Sequence, residues 1–324
     1  MQERTKLMNR GYSVVLLLSI GLTFFTGQPP IVMASVVSST PSTPVPTTQA
    51  CRVQTPHYNP APHVYAPDSA HTGDIPYNGG HVIDGIANVY LIYWLKRPIS
   101  PKYISLSEQF VKDFGRGSSL YMDLSQYHDS LGRCPTGARL AGTFVDTRSY
   151  PPELDDPNMT PDQATAVFGA EIGKEVTDVT TEKGWNTRDY HNLYGVFYNA
   201  MAGGQCASAV HTVLQSGSPV MYLHSCQYTP RTPPDKATPT NPSPNHDKDA
   251  DDLVNSFSHE FSEAVSDPLL NGWNKPAGEI ADVCASVPQP ADPQTHGDVT
   301  WHGHTYLIAL EYSNKRHGCV LEGP

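Results

Sequence analysis

A short stretch late in the chain carries residue types that could hold and use a metal ion. Residues 255–268 read NSFSHEFSEAVSDP, with the form H-E-x-x-E at the centre. On an α-helix, His259 and Glu263 are four positions apart and lie above one another, so both could bind one ion. In the H-E-x-x-H motif of zinc proteases, the glutamate after the first histidine is the base that acts on water. The pattern therefore predicts His259 and Glu263 as metal ligands and Glu260 as the catalytic base.

A third ligand is expected from the segment that follows. Glu279 is the first choice and Asp282 the second, because they lie 16 to 23 residues beyond the pair, where gluzincin-like sites place a carboxylate. We expect a divalent metal, Zn²⁺ ahead of Ca²⁺ or Mn²⁺, although a carboxylate-rich site also suits those harder ions. The alternative is that H-E-x-x-E marks a solvated helix face that binds nothing. His224 is expected to be packed or hydrogen-bonded, and His302 and His304 to be exposed beside a turn. His81 lies at the entrance to the domain, and the sequence leaves open which of these four approaches the site.

The element that must position these residues is a helix. Asp251 or Asp252 can cap its start, and Pro268 ends it near Ser266. A turn of 100° per residue places one set of apolar side chains in a single stripe. The members of this stripe are Leu253, Phe257, Phe261 and Ala264, flanked by Val265. The helix is therefore expected to bury this stripe and to present the His/Glu/Glu surface on another face.

The surrounding pattern alternates strands and helices. Strands are predicted at 88–94, 139–145, 193–198 and 220–224, and helices at 105–114 and from Pro161 to about Lys183, with Thr160 as N-cap. Residues 299–312 are expected to form a hairpin that turns at His302-Gly303. This order predicts a single α/β domain with a mixed β-sheet flanked by helices, a zincin-like active-site helix and a C-terminal β-hairpin.

The N-terminal region is typical of an exported protein. Basic residues precede a twelve-residue, mostly apolar run at 14–25, which is too short to span a bilayer. We expect a signal peptide at 1–34, a Pro/Ser/Thr-rich spacer at 35–75, and the domain at 76–324 with a Pro-rich loop at 228–247. The mature chain should begin near Ser35 and be secreted to the extracellular space, with no membrane association after cleavage. An uncleaved anchor is the alternative for the apolar run.

Charge and cysteine content narrow the function classes. The chain of 324 residues has 21 Lys plus Arg against 32 Asp plus Glu, a net charge of −11, which argues against a nucleic-acid partner. Six cysteines contain no C-x-x-C spacing, so disulfides are the expectation in an exported protein. We expect Cys284 to pair with Cys319 and Cys206 with Cys226, which leaves Cys51 for Cys134.

Several segments together resemble the EXORDIUM, or phosphate-induced, family of secreted proteins. They are GGHVIDGIANVYLIYW at 79–94, AVSDPLLNGW at 264–273, Glu279–Cys284, and Tyr306-Leu-Ile with Cys319. The resemblance covers about residues 79–320 with large gaps. It implies an extracellular protein of cell-wall or apoplast type in plants, linked to growth responses and without an established chemistry. The plant members do not keep H-E-x-x-E at positions 259–263, so this chain resembles a microbial-type branch that carries the motif.

Two function classes follow. The first is a secreted metal-dependent hydrolase, most simply peptidase-like, which acts on a peptide or cell-surface substrate. The second is a non-catalytic extracellular binding or signalling protein that has a structural cation or no metal. Convergence of the proposed ligands on one point, with Glu260 facing an open cleft, would favour the enzyme.

Overall fold

The computed structural model describes residues 51, 63–67, 73–115, 118–156, 158–159, 161–200, 208–224, 243–288 and 290–323. All of them belong to one compact unit, Pro46–Pro324. The expected signal peptide lies outside the described residues, as do most of the spacer, Thr160 and most of the Pro-rich loop.

A five-stranded mixed sheet forms the centre of the fold. Its strands are β1 Gly85–Trp94, β2 Pro135–Asp146, β3 Asn192–Tyr198, β4 Ser208–Val213 and β5 Pro219–His224. The order is β2-β1-β3-β5-β4; the first four are mutually parallel, and β4 runs antiparallel to β5 at the edge. The four predicted strands are confirmed, with longer bounds for β1 and β2, whereas β4 was not predicted.

Helices cover both faces of the sheet, as predicted. They are α1 Tyr103–Phe114, α2 Leu120–Leu124, α3 Pro161–Lys183 and α4 Lys248–Ser266. Alternate side chains of β1 enter two different cores, because successive residues of a strand point to opposite faces. Ile92 packs in the core that includes Val176 of α3, whereas Leu91 packs in the core that includes Phe110 of α1 and Phe257 of α4. The helix α4, which carries the H-E-x-x-E motif, is thereby fixed against the sheet.

The start of α4 differs from the prediction by one turn. Asp247 is the N-cap, and its side chain accepts a hydrogen bond from the backbone N–H of Ala250 at 3.3 Å. It also accepts one from the backbone N–H of Lys102 at 3.1 Å, which ties α4 to the start of α1. Asp251, a predicted cap, is instead buried inside the helix and accepts a 2.7 Å hydrogen bond from Ser243 Oγ. The end at Ser266 and the burial of the apolar stripe agree with the prediction.

The C-terminal segment forms two small hairpins instead of one long one. Strands β6 Val299–Trp301 and β7 His304–Tyr306 join through His302-Gly303, whose φ angles of 50° and 87° are those a two-residue type I′ turn requires. The predicted turn is therefore confirmed. Strand β8, Glu311–Ser313, pairs instead with β9, Gly318–Val320.

Strand β8 and a disulfide bond fix the segment that follows α4. The backbone N–H of Tyr312 in β8 donates to the carbonyl of Ile280 at 2.7 Å. Cys284, at the end of a 3-10 turn that begins at Asp282, is bonded to Cys319 of β9, with Cα atoms 5.8 Å apart. This predicted pair is confirmed. The segment with the predicted third ligands is thus held in place by covalent and backbone bonds.

The second disulfide lies elsewhere. Cys51 is bonded to Cys134 with a Cα separation of 5.8 Å, which confirms the pairing obtained by elimination. The predicted Cys206–Cys226 bond lies outside the described residues. Over the part of the chain that the structure describes, no helix is long and apolar enough to cross a membrane.

Candidate metal centre

Three elements bring six ionisable side chains together. Helix α4 supplies His259, Glu260 and Glu263, and the segment held by Cys284–Cys319 supplies Glu279 and Asp282. Edge strand β4 adds a histidine, His211, that the sequence analysis missed. All five residues predicted from the sequence therefore lie in one cluster, although they do not all contact one another.

The outer part of the cluster surrounds His259. Its Nε2 lies 3.2 Å from Glu263 Oε1 and 3.3 Å from Asp282 Oδ1. These separations are close to the value of about 3.4 Å that tetrahedral geometry gives for ligand atoms bound to Zn²⁺ at about 2.05 Å. The backbone N–H of Asp282 donates to Glu263 Oε1 at 3.0 Å, which fixes the orientation of that carboxylate.

The inner part surrounds His211. Its Nδ1 lies 3.6 Å from Glu263 Oε2 and 3.7 Å from Glu260 Oε2, and its Nε2 lies 3.6 Å from Glu279 Oε2. The side chain is only 2% exposed. Its Nε2 and Glu279 Oε1 are both buried without a hydrogen-bond partner. Buried polar atoms in folded proteins are nearly always hydrogen-bonded, so these two atoms require an explanation.

Two overlapping triplets have ligand atoms within 4.8 Å of one another. One consists of His211, Glu263 and Glu279, and the other of His259, Glu260 and Glu263. Among the described residues, no such triplet contains both histidines. Glu263 belongs to both triplets. Asp282, the second choice for third ligand, contacts His259, whereas Glu279, the first choice, contacts His211.

The acidic groups influence one another strongly. Burial raises the pKa of Glu263, but the charge of His259 and the contact with His211 outweigh it and hold that pKa at about 2. Burial raises the pKa of Glu279 to about 9, with a further contribution from the charge of Glu263. Burial also raises the pKa of Glu260.

Burial and neighbouring carboxylates act on the pKa values of the two histidines in opposite directions. Burial lowers the pKa of His211 and of His259, yet the neighbouring carboxylates raise both well above the ordinary value. Within the described parts of the chain, no Lys or Arg forms an ion pair with any of the six residues. Protonated carboxyl groups, protonated imidazoles or a bound cation must therefore offset the repulsion among the carboxylates.

An open cleft of about 610 Å³ adjoins the outer part of the cluster. His259, Glu260 and Asp282 line one side. The remaining wall consists of Ala209 of β4, Asn255 and Ser256 of α4, Cys284 to Pro288, and Ala309 with Leu310. Glu260 therefore faces a space large enough for part of a substrate, as the enzyme hypothesis requires.

The cluster is more buried than the sequence analysis expected. Glu260 and Glu263 are only 5% and 3% exposed, because β4 and the segment after α4 cover the polar face of the helix. The run SAVHTV at 208–213 is rich in β-branched residues and could have indicated a strand. No local signal connects His211 to α4, because the contact depends on the order of strands in the sheet.

The four other histidines considered in the sequence analysis lie outside the cluster, and His81, His302 and His304 are exposed. His224 is buried and its Nε2 lies 2.9 Å from the carbonyl of Ala200, while His304 contacts Asp113 at 2.7 Å.

Comparison with protein-family models, with curated proteins and with solved structures finds no match to this chain. The EXORDIUM-like motifs therefore remain an expectation from the sequence.

Proposed function

We propose that this protein is a secreted metal-dependent hydrolase, most simply a peptidase. His259, Glu263 and Asp282 would hold a divalent cation, with Zn²⁺ ahead of Ca²⁺ or Mn²⁺, and Glu260 would be the base. The observation that carries the proposal is the cluster of two imidazoles and four carboxylates beside an open cleft. A divalent cation at this place would supply a Lewis acid that lowers the pKa of water and polarises a carbonyl group.

The donor set suits such a cation. Imidazole nitrogen and carboxylate oxygen are ordinary Zn²⁺ ligands, whereas Ca²⁺ sites use oxygen only. Two buried atoms, His211 Nε2 and Glu279 Oε1, have no hydrogen-bond partner within the protein. A bound cation would give both atoms a partner. A cation would reduce the repulsion among carboxylates that no Lys or Arg neutralises within the described residues.

Glu260 has the properties of a general base. It lines the cleft, it is almost fully buried, and burial raises its pKa, which makes the carboxylate a stronger base. A protonated His211, whose Nδ1 lies 3.7 Å from Glu260 Oε2, would stabilise the ionised form of this carboxylate. Glu260 would accept a proton from water in the cleft and later donate it to the leaving group.

A peptide is the substrate class that the cleft favours. Strand β4 borders the cleft at Ala209 and, among the described strands, hydrogen-bonds only to β5. Its other edge could pair with an extended peptide, a mode in which main-chain hydrogen bonds give affinity and side-chain pockets give specificity. The apolar wall at Val287, Pro288 and Leu310 would then contact a substrate side chain.

Secretion is part of the proposal. The basic and apolar N-terminal sequence is typical of a signal peptide, and the two disulfide bonds fit an oxidising compartment. An EXORDIUM-like extracellular protein of microbial type would have the same location. Recovery of secreted protein that still begins at Met1 would contradict the predicted cleavage near Ser35.

One observation favours the non-catalytic alternative. The raised pKa values of His211 and His259 allow two imidazolium ions to neutralise part of the cluster without metal. The protein would then be an extracellular binding or signalling protein with structural carboxylates. Metal-dependent peptide hydrolysis distinguishes the two functions, because the non-catalytic protein could also hold a structural cation.

The test compares two substitutions in purified mature protein. Glu260→Gln should abolish hydrolysis of a fluorogenic peptide library and leave the metal content unchanged, because glutamine keeps the shape but cannot accept the proton. His259→Ala should lose both activity and metal. Glu182→Gln, at an exposed glutamate of α3, is the control that should change neither. Hydrolysis that persists in Glu260→Gln, or a parent protein without bound metal, would refute the proposal.

A further inference from the structure

The inner triplet around His211 is not needed to hold one cation at the cleft. Glu279 and His211 contact each other, but neither belongs to the triplet formed by His259, Glu260 and Glu263. Their position, burial and unpartnered atoms call for a separate function.

We propose that the centre holds two divalent cations, with Glu263 as the bridging carboxylate. The outer cation would be bound by His259, Glu263 and Asp282, and the inner cation by His211, Glu263 and Glu279. This inference rests on the proposed function for the outer cation and adds a second metal site behind it.

The orientation of Glu263 is the first support. Its Oε1 lies 3.2 Å from His259 Nε2, and its Oε2 lies 3.6 Å from His211 Nδ1. Each oxygen therefore faces a different imidazole. A carboxylate that binds one ion through each oxygen suits two-metal centres, in which the ions are about 3.5–4 Å apart.

The buried polar atoms of the inner triplet are the second support. The His211 side chain is 2% exposed, and its Nε2 makes no hydrogen bond although it faces Glu279 Oε2 at 3.6 Å. Glu279 Oε1 is also buried without a partner. A separation of 3.6 Å is too long for a hydrogen bond. Glu263 faces Nδ1 and Glu279 faces Nε2, and one ion binds a single imidazole nitrogen; His211, Glu263 and Glu279 nevertheless each offer one ligand atom within 4.8 Å of the other two.

Charge balance is the third support. Glu260, Glu263, Glu279 and Asp282 carry four negative charges when ionised, and no Lys or Arg pairs with them among the described residues. Three of these carboxylates are largely buried, and Asp282 is 47% exposed. Two divalent cations match the four charges and reduce the cost of burying uncompensated charge, in a region where Asp267 and Glu311 also act on Glu279 and Glu263.

The test measures metal stoichiometry in the full mature protein. Protein loaded with Zn²⁺ alone and freed of excess ion should contain two equivalents by elemental analysis. His211→Asn and Glu279→Gln should each reduce this to one equivalent, as should His259→Asn. Glu182→Gln should keep two equivalents. Because a buried histidine variant could fail to fold, Glu279→Gln provides the second probe of the inner site, and circular dichroism checks both.

Loading with Mn²⁺ tests the bridge. Two ions that share Glu263 should give an exchange-coupled electron paramagnetic resonance spectrum, and the folded Glu279→Gln variant should give the spectrum of an isolated ion. Uncoupled ions in the parent protein would overturn the assignment of Glu263 as a bridge.

The outcomes separate this inference from the proposed function. One equivalent in the parent protein, or two equivalents retained by both inner-site variants, would overturn the two-cation centre and leave the hydrolase proposal intact. Loss of all metal from both folded inner-site variants would also overturn it, because the ligands would then serve one ion. Two equivalents without peptide hydrolysis would support the centre and refute the hydrolase. No bound metal at all would refute both.

Discussion

Removal of the Cys284–Cys319 bond should weaken both the fold and the metal centre. The perturbation is a double substitution, Cys284→Ala with Cys319→Ala, which avoids a free thiol. The two cysteines are 35 residues apart in sequence, and the chain-entropy relation gives a loss of about 3.8 kcal/mol for a loop of this length. We therefore expect the free energy of unfolding to fall by about 3–4 kcal/mol in urea titrations followed by tryptophan fluorescence.

The same substitution should lower metal affinity. Asp282 lies at the start of the 3-10 turn that ends at Cys284, and Glu279 lies just before it. Without the covalent bond to β9, these side chains have more freedom, and disturbed support of metal ligands typically costs 10–100-fold in affinity. Competition with a chromogenic chelator measures the Zn²⁺ dissociation constant directly.

The other disulfide bond provides the matched control. Cys51 and Cys134 are 83 residues apart, so the same relation predicts a stability loss of about 4.6 kcal/mol. Neither cysteine contacts the cluster, and their double alanine variant should bind Zn²⁺ like the parent under conditions in which it is folded. Unchanged affinity in the Cys284/Cys319 variant, or equal weakening in both, would refute the argument that this bond positions the ligands.

Two further changes test a helix cap and a buried carboxyl group of α3. Asp247→Ala should lower the free energy of unfolding by about 2 kcal/mol, because it removes a helix cap and the acceptor for Lys102 N–H. Asp247→Asn should restore only the cap in urea titrations, because its single amide oxygen cannot also accept from Lys102 N–H. Burial and the adjacent Asp146 raise the pKa of Glu175 from 4.5 to about 8, so the folded state holds a proton that the unfolded state releases. The free energy of unfolding should therefore fall by a few kcal/mol as the pH rises from 4.5 through 8, at about 1.4 kcal/mol per pH unit. Glu175→Gln should remove this part of the slope, and an unchanged slope in thermal or urea unfolding would contradict the assignment.

The sequence alone determined features that depend on local geometry. The four-residue spacing of His259 and Glu263 fixes them on one face of α4, and the apolar stripe fixes which face enters the core. Pro161 at the start of α3 and His302-Gly303 in the hairpin act within a few residues of themselves. Such patterns are readable because helix periodicity and turn conformations are properties of short segments.

The tertiary structure decided which distant residues complete the cluster. His211 reaches α4 because β4 folds back antiparallel at the edge of the sheet, a placement set by the order β2-β1-β3-β5-β4. The same strand and the disulfide-held segment bury Glu260 and Glu263, which the helical pattern had placed on an open polar face. Sequence periodicity specifies which side of an element is apolar, but the neighbour that covers its other side is selected only when the whole chain packs. The charge environment of the centre is therefore a property of the assembled fold.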